Sequence, residues 1–327
     1  MALRRAASLL AQRLTGLGAA EGQVLGAQPL LQGSLLGADC QVRHASNQAV
    51  KQRIRAIKNI GKITKAMKMV AASKMRNAQA AVETSRGIND PFLRLFGDYP
   101  GIVAPKSVTL AITSDKGLCG GLNSNITKNT RALLRLMETG GEESTENVVC
   151  IGDKGRSQLT RTESQTFSLV ITDTYKVRVT FAQASLIAEE LLKTNPDVVR
   201  IVYNKFRSAI SFKPTVATVL MPDLIEKQAN EASGNKLDGY EMEVSAERGD
   251  CLRDLAEFQL AATLYNAMLE NNVSEHASRM SAMENSTKSA GEMLSKLTLS
   301  YNRKRQASIT TELIEIIAGA SALVDAE

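Results

Sequence analysis

The sequence predicts an α/β chain: a long antiparallel coiled coil of the N- and C-terminal helices, with a small α/β domain between them. Three observations carry this expectation. Met280, Met283, Thr287, Ala290, Leu294, Leu297 and Tyr301 recur in steps of three and four, which is a heptad seam. Val50, Ile54, Ile57, Ile60, Ile63, Met67 and Val70 repeat that spacing near the other end of the chain. From Pro105 onward the pattern changes to short β-rich apolar runs alternating with helical ones.

Residues 1–45 form the first segment. Arg4, Arg5, Arg13 and Arg43 stand against only Glu21 and Asp39, and Leu3, Leu9, Leu10, Leu14 and Leu17 gather on one side of a short helix. An Arg-rich, acid-poor, amphipathic leader has the composition of an organelle transit peptide, with processing expected just after Arg43. Residues 46–104 hold the first long helix, expected from about Asn47 to Val82. Its polar face carries Lys51, Arg53, Arg55, Lys58, Lys62, Lys65, Lys68, Lys74 and Arg76, with no acid until Glu83. Exposed helices usually gain support from acidic partners one turn away. Their lack here points to an acidic surface outside the chain, either phosphate backbone or protein carboxylates.

Residues 105–222 read as the α/β domain. Strands are expected at 107–113, 146–152, 165–172, 198–206 and 210–222, helices at 127–138 and 181–194, and a turn at 153–159. Asn195-Pro196 stops the second of these helices. Residues 223–248 are polar, carry Gly-Asn and Asp-Gly turn signals, and read as a loop excursion. Residues 249–327 form the last helix, since no proline follows Pro222. Seventy-odd residues at ~1.5 Å each make a rod on the order of 100 Å long. A ~100-residue domain has a radius of gyration of only ~13 Å, so something outside the chain must sheathe the rod. Near its end Ile309, Leu313, Ile314, Ile316, Ile317, Leu323 and Val324 fall on nearly all sides, and a helix apolar all round must be enclosed.

Composition narrows the function. Of 327 residues, 43% are hydrophobic and 23% charged, ordinary for a globular protein, and the net charge is +6. Aromatics are 4% and tryptophan is absent, which argues against a base-stacking platform. No uncharged apolar run of ~18 residues offers a membrane span. Cys40, Cys119, Cys150 and Cys251 form no CxxC pair, and with only His44 and His276 a zinc site is implausible; the thiols are expected to be reduced. Asp115, Lys116, Gly117, Gly120 and Gly121 follow a strand, as do Gly152, Lys154 and Gly155, yet neither set completes a phosphate-binding fingerprint. No nucleophile–base set or carboxylate pair stands out. The chain reads as non-catalytic, with no cofactor or metal of its own.

Three stretches carry a resemblance: IKNIGKITKAMKMVAASKMRNAQ (57–79), TSDKGLCGGLNSNI (113–126), and YNRKRQASITTELIEIIAGASAL (301–323) preceded by SRMSAMENSTKSAGEML (278–294). In this order they resemble the gamma subunits of F-type ATP synthases, over essentially everything after the leader. No second close cysteine pair is present, unlike the chloroplast form, so the resemblance implies the mitochondrial one. It implies a central-stalk rotor that couples proton flow to ATP synthesis, with a Rossmann-like domain that holds no nucleotide. Implied partners are the alpha and beta subunits, the delta and epsilon subunits and the c-ring. ATP, ADP and magnesium would belong to alpha and beta, and the location would be the matrix side of the mitochondrial inner membrane, peripheral through the c-ring. Site residues implied for contact with the alpha/beta hexamer are Met67, Lys68 and Arg279 along the shaft, and Arg303, Arg305, Gln306, Thr310 and Glu312 at its far end. Glu284 and the 223–248 excursion read as positions free to vary. The chief rival is a basic coiled-coil nucleic-acid-binding protein; a second is a small nucleotide-dependent enzyme built on the Gly-rich turns.

Overall fold

The computed structural model describes residues 35–99, 101–102, 104–138, 145–161, 167–225 and 248–324. The 1–45 leader falls mostly outside them, as does nearly all of the 223–248 excursion. The order is α1 (Leu35–Phe96), β1 (Lys106–Ile112), α2 (Leu122–Glu138), β2 (Thr145–Ile151), α3 (Asp153–Leu159), β3 (Phe167–Ile171), α4 (Phe181–Leu192), β4 (Val198–Phe206), β5 (Phe212–Leu220) and α5 (Arg248–Val324). The chain divides into two units, Lys51–Arg303 and a second made of Met1–Val50 with Lys304–Glu327.

Within Lys51–Arg303 the sheet order is β3-β2-β1-β4-β5. The first four strands are parallel, and β5 returns antiparallel to β4 through a tight hairpin. Strand residues alternate between two cores. Val108, Leu110, Ile112, Val199, Ile201 and Tyr203 face a core closed by α4, by Val82 of α1, and by Leu260, Leu264 and Met268 of α5. Ala111, Val148, Cys150 and Val202 face the other, closed by α2 and α3. A sheet so covered on both faces needs near-continuous apolar strands, which is why β1 and β4 are buried along almost their whole length. The outer edge of β5 is blunted where Asp98 Oδ1 accepts a bond from the Thr218 amide at 3.1 Å.

Two elements differ from expectation. Residues 153–159 form a short helix rather than a turn, because Gly155 lets its backbone pack directly on Thr113 and Cys150 while Leu159 is buried. The α1 helix continues past Val82 to Phe96 with Pro91 inside it. Proline there gives up one hydrogen bond and crowds the carbonyl one turn back, and the burial of Val82, Ser85 and Asn89 against α5 holds the helix in place around it.

The two long helices run antiparallel, but their seam is shifted from the expected one. On α5 the expected positions are right: Met283 is buried, and Thr287, Ala290, Leu294 and Leu297 are half-buried between exposed neighbours. On α1 the seam passes through Ile54 and Ile57, then Gly61, Thr64 and Ala71. Ile60, Ile63 and Val70 are turned outward, 50%, 58% and 56% exposed. Small residues win the seam because they let the backbones approach: a Cβ on Gly61 would lie 3.9 Å from Ala290 Cβ, and Thr64 Oγ1 lies 2.7 Å from Thr287 Oγ1. Farther along, buried polar cross-links repeat the antiparallel order, with Ser85 on Asn266 at 2.8 Å and Asn89 on Thr263 at 3.1 Å.

Two glycines separate these kinds of closeness. Gly61→Ala adds a Cβ at ordinary contact distance and removes a helix-interior glycine, so it should stabilise by about 0.5–1 kcal/mol. Gly155→Ala would place a Cβ 2.6 Å from Cys150 Sγ and nearer still to Thr113 Oγ1, so it should cost about 1–3 kcal/mol. Denaturant melts of the two variants should move in opposite directions; shifts of the same sign would contradict the packing described.

Candidate partner interface

The site residues expected along the shaft lie within Lys51–Arg303. Met67 and Arg279 line one cleft of about 560 Å³, together with Ile63, Val70, Lys74 and Lys116. Its floor is the outward apolar stripe of α1, and its rim carries cations from α1, α5 and the loop after β1. The Arg279 guanidinium is held by Glu275 one turn away, and also approaches His276 Nδ1 at 3.3 Å and the Gly117 carbonyl at 3.5 Å. Lys68 is engaged inside the chain: its Nζ lies 2.7 Å from Glu284 Oε1 across the seam. Glu284 therefore has a partner, rather than being an idle position. Both side chains remain well exposed, so the bridge is worth only ~0–1 kcal/mol.

Arg303 is an exposed residue of the same unit. Arg305, Gln306, Thr310 and Glu312 belong to the second unit. The first three are exposed, and Glu312 is half-buried, accepting a bond from Ser308 Oγ at 3.0 Å. In that unit Ile309, Leu313, Ile314, Ile316 and Ile317 are each more than half exposed, while the side chains of Leu323 and Val324 lie outside the described ones.

Reasoning from sequence missed two residues of the cleft and one on the loop beside it. Leu118, at the tip of the loop after β1, has φ 64° and is 64% exposed. A bulky apolar residue in the left-handed region and open to solvent is a local strain that an outside partner would explain. The signal is present in the sequence, since Leu118 sits among the glycines of the TSDKGLCGGLN stretch. Glu275 and His276 are the others. Burial pushes the Glu275 carboxyl up, with Arg279 pulling it back. Burial, then the charges of Arg279, Lys74 and Lys116, hold the His276 imidazole down at about 4.

The crevice that a doubly wound sheet offers to nucleotides lies at the carboxyl ends of the strands where the order reverses, here between β1 and β4. The chain's own α5 fills it. Ser274 Oγ donates to the Asn204 carbonyl of β4 at 3.0 Å, and Ser278 Oγ donates to the Cys119 carbonyl in the loop after β1. Gly152 and Gly155 pack against Thr113, whose Oγ1 donates to the Ile151 carbonyl at 2.7 Å and accepts from the Gly155 amide at 3.1 Å. Gly152 and Gly155 thus serve close packing. Cys119 and Cys150 are free and buried, with thiols pushed up by burial, and Cys251 is also free. Among the described residues no cluster of metal-ligating side chains occurs, and no helix is long and apolar enough to cross a membrane.

A family model described as ATP synthase matches residues 46–323. The chain is 50% identical over 285 residues to the mitochondrial ATP synthase gamma subunit of Arabidopsis thaliana, covering 86% of this chain and 87% of that one. The chain belongs to the ATP synthase gamma-subunit family. Against the mitochondrial gamma subunit of Drosophila melanogaster identity is 36% over 301 residues, covering 90% and 96%. Among solved structures, one from the central stalk and c-ring of Tetrahymena thermophila mitochondrial ATP synthase is 30% identical with a TM-score of 0.56, covering 68% of this chain and 98% of that one. A chain of the Euglena gracilis mitochondrial ATP synthase is 21% identical with a TM-score of 0.69, covering 86% and 95%, a likeness of fold.

The low imidazole value has a consequence for stability. The unfolded chain takes up that proton near ~6.5, the folded chain only near 4. Stability from keeping His276 neutral is therefore complete above the unfolded value and is lost as pH falls toward 4. His276→Gln should lose less stability than the parent between pH 6.5 and pH 4 in denaturant melts. Glu275, whose shift acts in the opposite sense, is common to both proteins. Identical pH slopes would contradict the environment assigned to His276.

Proposed function

We propose that this chain is the central-stalk rotor subunit of a mitochondrial proton-translocating ATP synthase, non-catalytic by itself. Turning of the c-ring is transmitted by the paired helices to the alpha/beta hexamer, which carries the chemistry. The observation that supports this best, beside family membership, is the helix end at Ile309, Leu313, Ile314, Ile316 and Ile317, exposed in the isolated chain and apolar on several sides. Such a surface suits an apolar sleeve in which a shaft turns. The cleft around Met67 and Arg279 has an apolar floor and a rim of mixed charge, Lys74, Lys116, Lys176 and Arg279 against Asp115, Asp173 and Glu275, which suits a polar loop of the hexamer. Contacts of ~0–1 kcal/mol each suit a bearing, since strong ones would hold one angle. On this reading ATP, ADP and magnesium are bound by alpha and beta, residues 1–45 direct import, and the chain reaches the matrix face of the inner membrane through the c-ring, with delta and epsilon beside it. The nucleic-acid reading has no support from the family or the fold.

Two experiments test this. The chain from residue 46 onward, expressed with its natural partners, should co-purify with three copies each of two larger nucleotide-binding chains; purification alone or with nucleic acid would contradict it. The exchange Lys68→Glu with Glu284→Lys keeps the intrachain pair but inverts the charge that α1 presents outward. Proton-driven ATP synthesis by the assembled enzyme should fall while assembly persists. Undiminished synthesis would mean that Lys68 serves only its bridge to Glu284.

A further inference from the structure

The β4 strand overhangs its neighbour. Its pairing with β1 ends at Ala111 opposite Val202, yet β4 continues to Phe206. Beyond Val202, backbone groups of β4 are taken by side chains of the long helices. Ser274 of α5 donates to the Asn204 carbonyl. Glu270 of α5 accepts from the Phe206 amide at 2.8 Å through Oε2, and Arg86 of α1 donates to the Phe206 carbonyl at 2.8 Å through Nη2. Arg86 and Glu270 are joined to each other by a fork, Nε to Oε1 at 2.6 Å and Nη2 to Oε2 at 3.0 Å. The Glu270 side chain is fully buried. Asn271 of α5 adds a bond from the Asn204 side chain at 3.1 Å.

We propose that Arg86 and Glu270 form the joint that passes torque between the α/β domain and the paired helices, acting as positioning residues for rotation. This rests on the central-stalk reading above. The two side chains offer Phe206 what a neighbouring strand would offer, one acceptor and one donor, so both helices are bonded to a central strand of the sheet at a single residue. Apolar packing between α5 and the sheet is non-directional and resists sliding or twisting weakly. A charge-assisted, forked arrangement has one geometry. Glu270 is buried while Arg86 stays 37% exposed, and an ion pair of this kind adds little net stability; what this one adds is a fixed angle between helix pair and sheet.

The test uses the assembled ATP synthase carrying this chain with Arg86→Lys, which keeps the charge and loses the fork, or Glu270→Gln, which keeps the shape and loses the charge. ATP hydrolysis per assembled enzyme should stay within roughly twofold of the parent, because no catalytic group is touched. Protons pumped per ATP and proton-driven synthesis should fall, in Glu270→Gln by at least about tenfold, and less in Arg86→Lys. A residue that merely supports folding would reduce the amount of enzyme but leave the protons pumped per ATP unaltered, and that result would overturn the proposal. So would equal losses of hydrolysis and pumping in both variants. The parent enzyme separates the two ideas: if the unaltered chain does not join the hexamer, the central-stalk reading fails first.

Discussion

The close antiparallel contact of two helices is the constraint on which the rest of this structure depends. Gly61 against Ala290 and Thr64 against Thr287 bring the backbones together where larger residues would hold them apart. A narrow seam leaves no room for Ile60, Ile63 and Val70, so they join lysines on the outer face. The outward stripe is a consequence of the seam, and the cleft holding Met67 and Arg279 is floored by it. One packing choice, small residues inside, thus produces both a thin shaft and a sticky, cationic exterior.

The same α5 helix occupies the end of the sheet where doubly wound folds take a ligand. Its side chains cross the carboxyl ends of β4 and β1, bonding to Asn204, Phe206 and the loop at Cys119. The place where related architectures take a ligand is used as an attachment point. Buried polar groups fix geometry there: Glu270 is buried and every bond it makes is directional. The domain behaves as a handle on the shaft, with its grip at one end of β4.

Much of this was legible in the sequence, for identifiable reasons. Strand β4, VVRIVYNKF, is rich in β-branched and aromatic residues, and its expected limits, 198–206, are those observed. The α5 seam is read correctly because Met283, Thr287, Ala290, Leu294 and Leu297 keep an unbroken heptad spacing. The α1 seam is misread from Ile60 onward because apolarity was taken as the sign of burial. Where Gly61, Thr64 and Ala71 meet α5, size decides the seam, and Ile60, Ile63 and Val70 turn outward. Residues 153–159 hid their helix behind Gly155, which packs on Thr113, a contact distant in sequence. The joint at Arg86 and Glu270 was invisible for the same reason: it depends on where β1 stops pairing with β4, which is a fact of register and not of composition.

The central claim is that within Lys51–Arg303 the two long helices turn as a single body, paired at Gly61 and Ala290. Cysteines placed at both positions would have Cβ atoms about 3.9 Å apart, inside the disulfide range of roughly 3.5–4.5 Å. Oxidising that double variant within the assembled enzyme should give the cross-link with proton-driven ATP synthesis retained, because a rigid shaft loses nothing by being stapled to itself. Failure of the bond to form, or synthesis abolished by it and restored by reduction, would contradict the account.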